Sequence, residues 1–291
     1  MQHPHRRAAR QWPAPPAAIV ISDVDGTLFD AGGWAATPAE LRRVLGARPL
    51  ILASSRTLRE LVVLQRTLGI RGPLIAENGA VVAFDSPLPD GTTTPRTIGR
   101  RTVHVRRLGQ TAATVRTLLL EAADAAGVII TPADRMDAVR RAHLGIATHG
   151  AYERALDARE ASVLLEPLLL SGSARARWRT ALADRALILS VGGRWACAVR
   201  STDKGRAARL VQHQLAASLQ HPVSTVGLGN DANDVPLLEM VDRAIVVRRD
   251  DGRVHPSLQA LTHAVVCQRP GIGGAIDALR AHFGTAPRPL T

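Results

Sequence analysis

The stretch Ala18-Ile-Val-Ile-Ser-Asp-Val-Asp-Gly-Thr27 decides how this chain is read. Its first five residues are apolar and rich in β-branched side chains, the composition of a buried strand. The strand runs at once into a loop that carries two carboxylates, Asp23 and Asp25. Side chains at i and i+2 of an extended backbone point the same way, and Gly26 permits a tight turn behind them. The structural alternative is an acidic turn that caps a helix.

The same grammar recurs along the chain. Apolar runs are predicted as strands at Pro49 to Ser54, Pro73 to Ala76, Val223 to Leu228 and Arg243 to Val247, with helical periods at Leu58 to Leu68, Gly205 to Leu219 and Pro236 to Met240. Strands alternating with helices imply an α/β fold with a Rossmann-like, doubly wound parallel sheet. Ligands of such sheets sit beyond the carboxyl ends of the strands, where Asp23, Ser54 and the loop Gly229 to Asp234 fall. Residues 99–195 differ in character. They hold helix candidates at Thr111 to Ala126, Met136 to Arg141 and Ala174 to Ala183, and a strand candidate at Val128 to Ile130. Strand-and-loop motifs flank this block on both sides, so it is expected to be an inserted α/β cap domain. The expected division is a flexible tail over 1–17, a core over 18–98 and 196–283, and a cap over 99–195. Pro87 to Gly99 and Gly192-Gly193 are the predicted hinges.

Composition narrows the function classes. The 291 residues are 46% hydrophobic and carry a formal charge of +12 from 37 basic and 25 acidic residues. No apolar run approaches the roughly 20 residues of a membrane span, and the Arg/Pro-containing N-terminus lacks the apolar segment of a secretory signal. Two cysteines, Cys197 and Cys267, suggest no disulfide framework, so a reducing cytoplasm is expected. The basic charge is spread, and aromatics make up 3%, which argues against a nucleic-acid stacking platform and leaves an anionic small molecule as partner. Of the basic residues only Lys204 is a lysine. A compact ammonium suits a point contact with several oxygens, which a planar guanidinium fork does not.

Asp23-Val-Asp-Gly-Thr27, the strand ending in Ser54, Ser201-Thr-Asp-Lys-Gly205 and Gly227-Leu-Gly-Asn-Asp-Ala-Asn-Asp234 stand in the order and spacing of the haloacid dehalogenase superfamily of phosphotransferases, which the chain resembles. Within it, the chain is similar to the mannosyl-3-phosphoglycerate phosphatases and their Cof-type relatives. That likeness rests on Ser54-Ser-Arg-Thr-Leu-Arg-Glu60, Ala76-Glu-Asn-Gly-Ala80, Asp157-Ala-Arg-Glu-Ala161, Gly192-Gly-Arg-Trp195, Asp203-Lys-Gly205 and Val226-Gly-Leu-Gly229. The resemblance implies a phosphatase of a small phosphorylated sugar or sugar acid, a glycosyl-phosphoglycerate of the mannosyl-3-phosphoglycerate kind, with a broad Cof-type sugar-phosphate phosphatase as the alternative, monomeric or homodimeric. Asp23 is the implied nucleophile, Asp25 the acid and base, and Ser54 and Lys204 the phosphate-side stabilisers. Arg56, Asn78, Arg159, Glu160, Arg194 and Asn233 are the implied substrate contacts, with a bidentate Arg against a carboxylate as the expected chemistry of Arg159.

Magnesium is the implied cofactor, held by Asp23, the Asp25 carbonyl and a residue of the 229–234 loop, drawn from Asn230, Asp231 and Asp234. Here the chain departs from the family's Gly-Asp-x-x-Asn-Asp, because Asn230 takes the place of the first Asp. Asn supplies a neutral oxygen. A loop shifted to use Asp231, or weaker binding through Asn230, is therefore expected, and a catalytically impaired anion-binding protein is the alternative. A second departure is Cys197, where the family has a His.

Overall fold

A computed structural model describes residues 18–29, 38–137, 139–140, 156, 158–192 and 195–284. The expected tail over 1–17, Trp34, Asp157, Gly193 and Arg194 lie outside the described residues. Among those described, two sheets form. The larger has nine strands: β1 (Ala18–Ser22), β2 (Leu50–Ala53), β3 (Leu74–Ala76), β4 (Val81–Phe84), β5 (Thr94–Ile98), β6 (Arg101–Arg107), β10 (Ser224–Gly229), β11 (Arg243–Arg248) and β12 (Val265–Pro270). The smaller has three: β7 (Val163–Leu165), β8 (Leu187–Gly192) and β9 (Trp195–Arg200).

The large sheet runs in the order β12-β11-β10-β1-β2-β3-β4-β6-β5. From β12 to β3 neighbouring strands are parallel, and from β3 to β5 they are antiparallel. β1 lies between β10 and β2, with Ser22 beside Leu228 and Leu52, so the loops leaving β1, β2 and β10 emerge side by side. This is the α/β architecture the alternation predicts.

The apolar runs are continuous because both faces of the parallel strands are covered. Val20, Leu52 and Val226 face a cluster that includes Leu41, Val44 and Leu45 of α1 (Pro38–Leu45), Leu58 and Leu61 of α2 (Leu58–Leu68), and Ile272, Ile276 and Leu279 of α7 (Gly271–Phe283). Ile19, Ile21 and Ile51 face the other way, onto Ala207, Ala208 and Val211 of α5 (Lys204–Leu219) and Leu237 and Leu238 of α6 (Val235–Met240). Helix ends follow local chemistry. Thr57 and Glu60 form a reciprocal capping box at the start of α2, and Gly69 ends it in the left-handed conformation.

Among the described residues, the small sheet has helices on one face only. Val163, Leu165, Leu187, Ala196 and Ala198 pack under α3 (Ala112–Ala126) and α4 (Gly172–Ala183). Leu164, Cys197 and Val199 belong to the large-sheet cluster instead, so the opposite face of this sheet closes down on the core. The cap boundaries differ from those expected. Arg101–Arg107 pairs with β4 and β5 in the large sheet, and Trp195–Arg200 lies in the small one, which moves both crossings later in the chain. Alternation explains the first shift: Val103 and Val105 are buried between polar neighbours, Thr102, His104 and Arg106, which is a half-buried strand that reads as polar chain. Val128 to Ile130 forms no ladder, and a single bridge pairs Pro132 with Leu165.

Gly79 makes one close approach that the fold depends on. Its φ is +93°, and a Cβ there would lie 2.0 Å from the Asp203 carbonyl oxygen. Gly79→Ala is expected to cost about 3 kcal/mol or more in chemical denaturation, through backbone strain and overpacking together. Gly127→Ala is the control: its φ is +63° with no atom near the added carbon, so a loss of about 1 kcal/mol is expected.

Candidate active site

Lys204 is the largest fully buried side chain among the described residues. It opens α5, whose N-cap is Asp203, and Gly205 lets the helix start come up against the chain around Pro236, whose carbonyl oxygen lies 2.2 Å from where a Cβ would stand. That approach delivers the Lys204 Nζ to two carboxylates. It donates to Asp23 Oδ1 at 2.6 Å and to Asp234 Oδ1 at 2.6 Å. Asp234 Oδ2 accepts the main-chain N–H groups of Asn230 and Asp231 at 2.9 and 3.0 Å, so both of its oxygens are engaged.

One ammonium between two ionised carboxylates would leave a net charge of −1 in a buried site. Burial, together with Asp234 and Asp25, pushes the Asp23 carboxyl up to about 7 against the pull of Lys204. Burial alone would lower the Lys204 pKa, but Asp23 and Asp234 hold it above its ordinary value, so the side chain stays an ammonium. The oxygen of Asp23 that Lys204 does not hold, Oδ2, accepts from the Thr27 hydroxyl at 3.3 Å.

The second carboxylate of the first loop is held differently. Asp25 is gripped by the Arg56 fork, with Nε on Oδ2 at 2.9 Å and Nη2 on Oδ1 at 2.6 Å. This hydrogen-bonded pairing raises the Arg56 pKa further. Ser54, at the end of β2, is 1% exposed, and its Oγ accepts the Arg56 N–H at 3.2 Å. Asn78 is hydrogen-bonded to two other parts of the site: its Nδ2 donates to Ser190 Oγ at 3.0 Å, and its Oδ1 accepts from Asn233 Nδ2 at 3.2 Å. The Oδ1 of Asn233 is buried without a hydrogen-bond partner among the described residues.

The 229–234 loop places Asn230 and Asp231 in different surroundings. The Asn230 amide lies over Gly26, and its Oδ1 accepts from Thr27 Oγ1 at 3.2 Å, so one hydroxyl reaches both this oxygen and Asp23 Oδ2. Asp231 is held elsewhere. Its Oδ1 accepts from Ala232 N at 2.7 Å, pairs with Arg249 Nη2 at 2.9 Å and lies 3.5 Å from His255 Nε2. Among the described residues no group of three or more His, Cys, Asp or Glu side chains forms a metal cage. The hard oxygens of Asp23 and Asn230 still fit a hard divalent cation, in a donor set with one carboxylate and a neutral amide.

The structure thus brings together Asp23, Asp25, Ser54, Arg56, Asn78, Lys204, Asn230, Asn233 and Asp234. Arg159 and Glu160 sit at the edge of this group and engage the core: Arg159 Nη1 donates to the Ser55 carbonyl at 3.0 Å, and Glu160 forms an ion pair with Arg96. A cavity of about 230 Å³ lies on the cap side of Arg159, lined also by Arg116, Asp134, Leu156 and Ser162. Sequence reasoning missed Glu77, Ser190, Arg249 and His255. A buried acid directly after strand β3 was the available signal for the first. The other three act through contacts distant in sequence.

No family model matches the sequence. Solved structures share the fold across nearly the whole chain. A phosphatase of the haloalkanoate (HAD) enzyme superfamily from Bacteroides thetaiotaomicron has a TM-score of 0.62 at 16% identity, over 96% of this chain and 100% of that one. The sucrose-phosphatase of Synechocystis sp. PCC6803, solved with sucrose and phosphate, scores 0.56 at 16% identity, over 92% and 98%. A HAD subclass IIB sugar phosphatase scores 0.57 at 13% identity, over 92% and 99%. The chain has the fold of these proteins, a Rossmann-like core bearing a cap.

Lys204→Met would leave two buried carboxylates facing each other. A loss of about 3–5 kcal/mol is expected in chemical denaturation at pH 8. Carboxyl NMR of the folded, metal-free variant is expected to show Asp23 titrating above its wild-type position, since a cation favouring the carboxylate has gone.

Proposed function

We propose that the chain is a phosphomonoester hydrolase of small phosphorylated sugars or sugar acids, working through an aspartyl-phosphate on Asp23. The observation that carries this reading is the buried Asp23–Lys204–Asp234 group at the mouths of β1 and β10, with Ser54 at the neighbouring strand end. The printed names of proteins with the same fold, a sucrose-phosphatase and a sugar phosphatase, favour this substrate class. Within it, glycosyl-3-phosphoglycerates are the substrates that the sequence resemblance favours.

In this mechanism Asp23 Oδ2 attacks phosphorus, while Lys204 holds Oδ1 and fixes the carboxylate plane. Ser54 Oγ donates to a non-bridging phosphoryl oxygen, where negative charge builds up. Asp25 gives its proton to the departing alkoxide, then takes a proton from the water that attacks the aspartyl-phosphate and regenerates the Asp23 carboxylate. Arg56 orients Asp25 before substrate arrives, and its fork then turns to the phosphoryl oxygens. Magnesium, held by Asp23, the Asp25 carbonyl and Asn230, supplies further neutralisation of phosphoryl charge when bound. Asp234 orients Lys204 and the loop. The cap, through Ser190 and the strand bearing Cys197, encloses the rest of the substrate and excludes bulk water.

Asn230 favours a second reading, an anion-binding protein with little turnover, because a neutral amide attracts a dication less than a carboxylate does. Phosphate release with and without magnesium from glycosyl-3-phosphoglycerates, hexose phosphates and phosphoglycolate separates the two. Magnesium-dependent release is expected, falling by at least about a thousandfold in Asp23→Asn. Asn230→Asp is expected to tighten magnesium binding by about tenfold or more in calorimetry. Wild-type protein that binds phosphate esters but releases no phosphate would favour the second reading.

A further inference from the structure

We propose that Glu77 is a positioning residue, the core-side anchor that seats the cap over the site and, through Arg159, braces the loop that carries Ser54. Glu77 follows β3 in the core, yet its carboxylate is fully buried and turned to the cap. It accepts three hydrogen bonds from one short segment: Glu160 N at 2.9 Å, Ala161 N at 3.0 Å and Ser162 Oγ at 2.5 Å. Four consecutive residues of that segment each make a contact of their own with the core. Arg159 reaches the Ser55 carbonyl, Glu160 also pairs with Arg96, Ala161 is buried in the large-sheet cluster, and Ser162 completes the carboxylate's shell. On the cap side the Glu160 carbonyl accepts the Ala112 N–H at 2.8 Å, at the start of α3.

The main chain of Glu77 is fastened just as firmly to the other side. Its N–H donates to the Arg56 carbonyl at 2.9 Å, and the next residue, Asn78, donates its N–H to the Ser54 carbonyl at 2.9 Å. Glu77, Asn78 and Gly79 are consecutively left-handed, with φ of +51°, +54° and +93°. A glutamate is held in that region only where the surroundings over-determine it. An anion suits the position because two main-chain N–H groups and a hydroxyl converge on it, and three donors around one carboxylate are satisfied without a nearby lysine. Separating cap from core here would expose the carboxylate and strip all three donors at once. The phosphate loop and the cap segment therefore share one brace, and substrate enclosed by the cap is positioned by Glu77 without touching it.

Hydrogen–deuterium exchange on the full chain tests this directly. In Glu77→Gln the side chain keeps its shape but sets an amide NH2 against N–H donors. Exchange in peptides covering 159–165 is expected to rise by about tenfold or more, while peptides covering 19–22 and 50–53 stay as slow as in wild type. Ser162→Ala removes one donor of the three and leaves the Glu77 backbone untouched, so it should give a smaller rise in the same peptides. It also carries the test if Glu77→Gln does not fold. Wild-type exchange over 159–165 in the folded variants, or a rise spread over the whole chain, would overturn the proposal. A kinetic arm rests on the phosphatase reading: with a hydrolysed substrate, Glu77→Gln is expected to raise KM by about tenfold while kcat changes by less than about threefold. A fall in kcat at constant KM would contradict a seating role. If wild type hydrolyses nothing, the exchange result still decides the clasp, and the phosphate-release assay alone counts against the catalytic reading.

Discussion

A lysine with no solvent exposure can stay charged only if its surroundings replace water, and Lys204 does so with Asp23 and Asp234. Much of the molecule serves that exchange. Asp23 follows β1, Asp234 follows β10, and the two strands are parallel neighbours, so both carboxylates leave the sheet at the same end. Helix α5 approaches from beyond that end because a glycine follows the lysine. The Asn230 and Asp231 main-chain N–H groups satisfy what Lys204 leaves open on Asp234. Asp23 Oδ2, which the Thr27 hydroxyl approaches at 3.3 Å, is the oxygen to which the proposed mechanism assigns the attack.

The core site was legible in the sequence because each part is a short local string at the end of an apolar run. Asp23-Val-Asp-Gly-Thr27 and the lone lysine in an arginine-rich chain needed no knowledge of long-range contacts. The edges of the cap were not legible for the opposite reason. Val103 and Val105 alternate with polar residues and bury one face only, and Ala196 and Ala198 are too small to announce a strand against a helix. Asp231 shows a further limit. Adjacent in sequence to Asn230, it stood as a possible metal ligand, and its ion pair with Arg249, just beyond the next strand, is a contact that the sequence does not show. Glu77 escaped notice because its three donors come from residues more than 80 positions later.

Arg159 makes contacts with the core that the sequence does not show. One guanidinium nitrogen donates to the Ser55 carbonyl and the Ser162 hydroxyl, while Nε has no hydrogen-bond partner among the described residues. The effect on the site is indirect: the cap residue steadies the loop next to Ser54. Under the proposed function, specificity falls to the surface that the clasp positions, including Asn78, Asn233 and Ser190. The buried and unpartnered Oδ1 of Asn233 there suits a donor such as a sugar hydroxyl.

The central claim is that Asp23 forms the covalent bond to phosphorus. Radiolabelled hexose phosphate mixed with the full chain and magnesium, quenched in acid within one turnover and digested, tests it most directly. The account predicts label on the peptide bearing Asp23, none in Asp23→Asn, and loss of the label on brief treatment with base, as an acyl phosphate requires. Phosphate release with no label on that peptide at any quench time, or label on another residue, would contradict it.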